Sequence, residues 1–126
     1  MKVIIAGSRD IKDIFQVHNF INKSPFKITE VISGGAAGVD KIGEMWARDH
    51  GVPIITFTPH YHSLNPIVAP LLRNVDMAKH ADALIAVWKD ESKGTKHMID
   101  QMDKLKKPYI VLQIYGNEVV KEWQSP

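Results

Sequence analysis

The chain has no cysteine, which excludes a disulfide framework and any zinc site built on thiolates. It has little net charge: 16 Lys and Arg stand against 14 Asp and Glu, a formal +2. A dedicated duplex-DNA binder carries a clustered basic face. The densest basic cluster here, Lys104, Lys106 and Lys107, falls at the end of an expected helix, where lysines favourably oppose the helix dipole. Nucleic acid is therefore not an expected partner. No apolar run approaches the ~20 residues that a membrane helix needs. The run at 3–6 is too short for a signal-peptide core, so the expected compartment is the cytoplasm. Apolar residues themselves are not scarce. At 44% hydrophobic and 24% charged, the 126 residues suit one folded domain and exclude disorder. Repeats and low-complexity tracts are absent, and nothing resembles a linker, so residues 1–126 are expected to form one domain.

Apolar runs and helical periods alternate. Residues 2–6 (KVIIA), 30–33 (EVIS), 53–57 (PIITF), 83–88 (ALIAVW) and 109–114 (YIVLQI) are continuous apolar stretches rich in β-branched residues. Between them lie helical patterns. In the first, Ile11, Ile14, Phe15, His18 and Ile21 share a face, with Asp10 as a candidate N-cap. Val39, Ile42 and Trp46 mark a second, closed by His50-Gly51, with Met45 and Trp46 expected in the core. A third runs over about 68–80 with Pro70 in its first turn. A fourth is capped by Thr95 and turns Met98, Met102 and Leu105 inward. Uninterrupted apolar strands are buried on both faces. The expected fold is therefore α/β: a Rossmann-like three-layer sandwich, with a mostly parallel sheet of about five strands and helices on both faces.

In such a sheet, ligands bind beyond the carboxyl ends of the strands. Three strand ends carry unusual residues. Gly7, Ser8 and Arg9 follow the first strand, where glycine permits close approach and arginine offers a fork suited to phosphate. The same residues also suit a plain tight turn. After the second strand, Ser33-Gly34-Gly35-Ala36-Ala37-Gly38-Val39-Asp40 is nearly bare of side chains, so its N–H groups could meet an anion. Close packing of helix on strand is the alternative, with Asp40 a first-turn stabiliser. The spacing matches neither the dinucleotide fingerprint nor a P-loop. After the fourth strand comes Asp90-Glu91-Ser92-Lys93-Gly94-Thr95, where Gly94 and Thr95 open a helix and Thr95 either caps it or holds a phosphate or ribose. Arg73 and Asn74 lie on the third helix, where an exposed arginine would be unremarkable. His60-x-His62 lacks an evident third ligand, so no metal is expected. His60, Tyr61 and Trp88 could instead stack on a base.

Taken in order, Gly-Ser-Arg, Ser-Gly-Gly-Ala-Ala-Gly-Val-Asp, Arg-Asn-x-x-Met and Gly-Thr resemble the SLOG superfamily of DprA-like and Lonely-Guy-like proteins, nearest its YspA-like, YpsA-related branch. The resemblance spans about residues 2–114. It implies a Rossmann-like fold that binds nucleotides or nucleotide-derived ligands through Gly7, Ser8, Arg9, Gly34, Gly35, Asp40, Arg73, Asn74, Gly94 and Thr95, and it implies a homodimer or higher homo-oligomer.

The resemblance also has a gap. Lonely-Guy enzymes cleave the base from a nucleoside monophosphate with a Pro-Gly-Gly-x-Gly-Thr-x-x-Glu motif whose last residue is catalytic. Here Glu91 and Ser92 replace the glycine pair and Met98 takes the glutamate position. A thioether neither transfers a proton nor stabilises an oxocarbenium ion. The expected function is therefore non-catalytic binding, with no cofactor. It would sense or sequester a nucleotide-derived molecule, such as a signalling nucleotide or an ADP-ribose-like one. Sequestration would suit a phage or mobile element. The alternatives are a nucleotide N-glycosidase using Asp40 or Asp76, and a single-stranded nucleic-acid-binding module.

Overall fold

A computed structural model describes residues 1–59 and 65–126. Strand and helix alternate as β1 (Lys2–Gly7), α1 (Ile14–Asn22), β2 (Glu30–Ser33), α2 (Val39–Asp49), β3 (Ile54–Thr56), α3 (Ala69–His80), β4 (Ala83–Lys89), α4 (Lys93–Lys104), β5 (Tyr109–Tyr115) and β6 (Glu118–Gln124). They form one sheet of order β3-β2-β1-β4-β5-β6, in which β1 to β5 are parallel and β6 pairs antiparallel with β5. Successive strand residues face opposite sides, so each apolar run feeds two cores. Val3, Ile5, Val31 and Ile85 pack with Val17, Phe20, Ile42 and Trp46 of α1 and α2. Ile4, Ile32 and Leu84 pack with Met77, Met98 and Met102 of α3 and α4. This division explains the uninterrupted apolar strands and completes the expected three layers.

The structure departs from expectation at element ends. Asp13, not Asp10, caps α1, accepting from Gln16 N at 3.1 Å. The helix therefore begins three residues later than Asp10 would dictate, and its inward face becomes Val17, Phe20 and Ile21. Phe15, expected inward, is 81% exposed, and Ile11 is buried ahead of the helix. Thr95 does not cap α4: Ser92 holds that position and Thr95 is the third helical residue. Leu105 sits at the C-cap, exposed, because the helix has already ended, and Met45 is half-exposed beside a buried Trp46. The sixth strand was not anticipated. It follows Gly116-Asn117, a two-residue turn whose Gly116 has φ 59, as hairpins with glycine at the first central position require.

The basic cluster after α4 also has a different role. Lys107 Nζ donates to Ala78 O (2.8 Å), Lys79 O (3.1 Å) and Ala81 O (2.8 Å), closing the carboxyl end of α3 rather than that of its own helix. A cation there satisfies carbonyls with no intrahelical partner and opposes the dipole. Lys107→Met should lower stability by about 1–2 kcal/mol, since the ammonium is only half-buried. Urea unfolding checks this, and an unchanged midpoint would make the lysine a bystander. Among the described residues no helix is long and apolar enough to cross a membrane.

Candidate functional site

The strand order reverses between β1 and β4: β1 leads outward to β2 and β3, β4 to β5. Loops leaving two such strands diverge to opposite faces and open a crevice at their carboxyl ends. A cleft of about 410 Å³ lies there. Its walls come from Gly7 to Asp10 after β1, Ala36 and Asp40 at the start of α2, Pro70 to Met77 on α3, and Lys89 to Met98 around the start of α4.

Gly7 is demanded by packing. A Cβ there would collide with Val87 O and come 2.7 Å from Val39 Cγ2. Ser8 is buried, and its hydroxyl closes the junction of β1 and β4, accepting from Lys89 N at 2.9 Å and meeting Lys89 O at 3.2 Å. Arg9 is exposed on the rim. Asp10 pairs with Lys89 at 3.3 Å.

The glycine loop is largely self-satisfied. Gly35 N donates to Ser33 Oγ (3.1 Å), and that hydroxyl donates to the buried Glu44 Oε2 (2.6 Å). Ala36 N donates to Asp40 Oδ2 (3.2 Å), and Val39 N to Ser8 O (3.3 Å). Asp40 thus already supplies an anion to the loop. Ser33, Gly34 and Gly35 do not line the cleft; of this segment only Ala36 and Asp40 do. Arg73, half-buried, reaches from α3 to donate to Gly34 O at 2.9 Å and packs over the Gly34 Cα, where a Cβ would have no room. It is therefore not a plain surface arginine. Burial pushes the Asp40 carboxyl up to about 6, against the opposing pull of the Ala36 N–H and the Arg73 charge.

Asn74 is buried and ties α3 to α4. Its Nδ2 donates to Gly94 O at 3.4 Å and lies 3.2 Å from His97 Nδ1, while its Oδ1 accepts from Arg73 Nη2 at 3.3 Å. Burial lowers the His97 pKa, with Asp100 opposing and Lys104 assisting. At the start of α4, Ser92 makes no side-chain cap bond, and its Oγ instead lies 3.3 Å from Thr95 Oγ1. A Cβ on Gly94 would meet nothing within 4 Å, so nothing in the protein requires glycine there. Ahead of it, Asp90 and Glu91 hold left-handed backbone, φ 49 and φ 57, a conformation that costs non-glycine residues roughly 1–2 kcal/mol.

Of the residues singled out from sequence, the cleft gathers Gly7, Ser8, Arg9, Asp40, Arg73, Asn74, Gly94 and Thr95. Asp76 is exposed and outside the cleft wall. Trp88 turns away, donating to Ser92 O at 2.9 Å with its ring edge-on to Trp123. His60, Tyr61 and His62 lie outside the described residues; among those described, no group of potential metal ligands converges. Lys89 was missed as a cleft residue, since the last residue of a strand running into a polar loop carries no signal of its own.

The model of the YspA, cpYpsA-related SLOG family matches residues 1–63, half of the chain. The chain belongs to that family. The matched half of this SLOG chain contains the Gly7-Ser8-Arg9 and Ser33–Asp40 motifs; Arg73 and Gly94-Thr95 lie beyond it. The Gene 61 protein of Mycobacterium phage D29 is 31% identical over 118 residues, spanning 86% of the SLOG chain and 94% of its own length. Among solved structures, DNA processing protein A (DprA) from Streptococcus pneumoniae superimposes with a TM-score of 0.70 at 17% identity, over 87% of this chain. This chain spans about half (49%) of that DprA chain. The structural-genomics target TM1055 gives 0.60 at 20% identity, over 86% of this chain and 71% of its own. These two likenesses establish the fold.

Proposed function

We propose that the chain binds a nucleotide or nucleotide-derived ligand in the β1/β4 cleft without turning it over, as a sensor or by sequestration. The observation that carries this reading is the open first turn of α4, which faces the cleft without a side-chain cap and holds a glycine that nothing in the protein requires. First-turn N–H groups lack intrahelical partners and attract phosphate. Thr95 and Arg9 add a hydroxyl and a guanidinium, and Pro70 with Leu71 offers an apolar surface for a base. The Gly34-Gly35 loop is the weaker phosphate seat, because Ser33 and Asp40 already engage its N–H groups. It supports the wall through Ala36, Asp40 and Arg73.

Gly94→Ala is the sharpest test. It should leave the melting temperature unchanged or slightly raised, since alanine is the better helix former by up to ~1 kcal/mol. It should also weaken nucleotide binding about tenfold, read by calorimetry. Undiminished affinity would move the phosphate elsewhere. Native mass spectrometry of the purified protein looks for a retained nucleotide and reads the oligomeric state, for which a homo-oligomer is proposed. A second reading, hydrolysis, rests on Asp40, a cleft carboxyl with a raised pKa. Met98 is buried at the glutamate position of the Lonely-Guy enzymes, so incubation with AMP should release no free base. The name of DprA, a DNA processing protein, suggests nucleic acid, but the formal +2 charge offers little counterion release. A relative encoded by a phage agrees with sequestration.

A further inference from the structure

Beyond the Lys89–Asp10 pair lies a second cavity, of about 330 Å³, between the start of α1 and the Gly116-Asn117 turn. It shares Asp10 and Lys89 with the first cleft, so the ion pair is the border between two adjoining spaces. We propose that the two spaces form one extended site, and that its ligand is a nucleoside diphosphate carrying a sugar or similar polyol. This rests on the nucleotide reading above.

The chemistry of the second cavity favours hydroxyls over a base. Asp10, Asp13, Gln16 and Asn117 supply carboxylate and amide groups that accept and donate to a polyol, Asp13 while capping α1 through Gln16 N, and Lys12 adds a cation. The border favours a phosphate. The Lys89 side chain is 19% exposed while that of its partner Asp10 is 65% exposed, so the carboxylate side of the pair is open to water and readily exchanged for another anion. A second phosphate would take the place of Asp10 on the ammonium, and the freed carboxylate would face the sugar hydroxyls. The two spaces are also fixed relative to each other. Asp90 Oδ1 accepts from Gly116 N at 2.9 Å, and Asp90 N donates to Ile114 O at 2.9 Å, so the β4–α4 loop and the β5–β6 turn move together. The left-handed backbone at Asp90 and Glu91 is what aims that loop at the turn.

The test pairs each monophosphate with a diphosphate sugar of the same base: AMP with ADP-ribose, UMP with UDP-glucose, GMP with GDP-mannose. Calorimetry should show, for the base that binds, at least tenfold tighter binding of the diphosphate sugar. The double variant Gln16→Ala, Asn117→Ala should lose that gain and keep the monophosphate affinity. Neither side chain caps a helix or belongs to a core, so the melting temperature should hold. Equal affinities for the two members of a pair would overturn the extended site and leave nucleotide binding standing. So would a double variant that weakens both ligands alike. Absence of binding across the whole panel would remove both readings.

Discussion

Gly38→Ala should destabilise the protein by about 3–5 kcal/mol. Gly38 is the N-cap of α2 at φ 77, ψ −128, a region that residues with a Cβ occupy at a cost of ~1–3 kcal/mol. An added Cβ would also collide with Ser8 O and lie 2.5 Å from Arg9 O. Both obstacles are backbone, held in turn by the Val39 N–H on Ser8 O and by the Ser8 hydroxyl between the strands. Relief therefore requires α2 to move off the end of β1, an overpacking cost of another ~1–3 kcal/mol. For a chain of this size the melting temperature should fall by roughly 10–20 °C. Gly51→Ala is the control. Gly51 has φ 66 but open space around it, so its cost should stay near ~1 kcal/mol. Equal losses at the two positions would show that dihedral strain alone, and not the close approach of α2 to β1, makes Gly38 necessary.

The second large effect belongs to Asp40 and depends on pH. Its carboxyl is pushed from 3.8 up to about 6 by burial, which outweighs the Ala36 N–H, the Arg73 charge and the Gly7 backbone. Between those two values the folded protein holds a proton that the unfolded chain has released. Stability from this group is thus fully present below about pH 4 and is lost as pH rises through about 6. At ~1.36 kcal/mol per pK unit, ionised Asp40 costs about 3 kcal/mol at pH 8. Asp40→Asn removes the charge and keeps an oxygen for the Ala36 N–H. It forfeits a favourable first-turn charge worth ~0.3–1 kcal/mol. The variant should therefore be more stable than the wild type by about 1–3 kcal/mol at pH 8, with the difference vanishing near pH 4. Urea unfolding at the two pH values reads this directly. A variant less stable at pH 8 would mean that the Arg73–Asp40 attraction outweighs desolvation.

Several features were legible from local chemistry. Continuous apolar runs declared a parallel sheet, because each strand of a covered sheet must feed two cores, as Val3 and Ile4 do on opposite faces. Helix periods named Trp46, Met98 and Met102 as core residues, all buried here. The resemblance named a family to which the chain belongs. Element ends were less legible. Asp10 and Asp13 are equal candidates for capping α1 by residue type, and Thr95 caps as well on paper as Ser92. The choice depends on where the incoming loop points, which neighbouring elements set. The Gly-Asn turn into β6 was a signal within reach, since a two-residue turn of that kind commonly joins antiparallel strands.

What the chain by itself determined is the alternation of elements, the three layers and the strand ends at which small and polar residues gather. Each of these follows from the order of neighbours along the backbone and from the periods of strand and helix. What only the tertiary structure decided is which side chains act on which. Ser8 holds Lys89 across 81 positions of sequence, and Arg73 reaches the Gly34 carbonyl across 39. Asp40 turns its carboxylate back onto the loop that seemed open to a ligand's phosphate. Lys107 closes a helix that is not its own. Such pairings carry no periodic trace, because they are fixed by the packing of α2, α3 and α4 on the sheet, and a hydrogen bond is specified by a distance of about 3 Å in space whatever the separation along the chain.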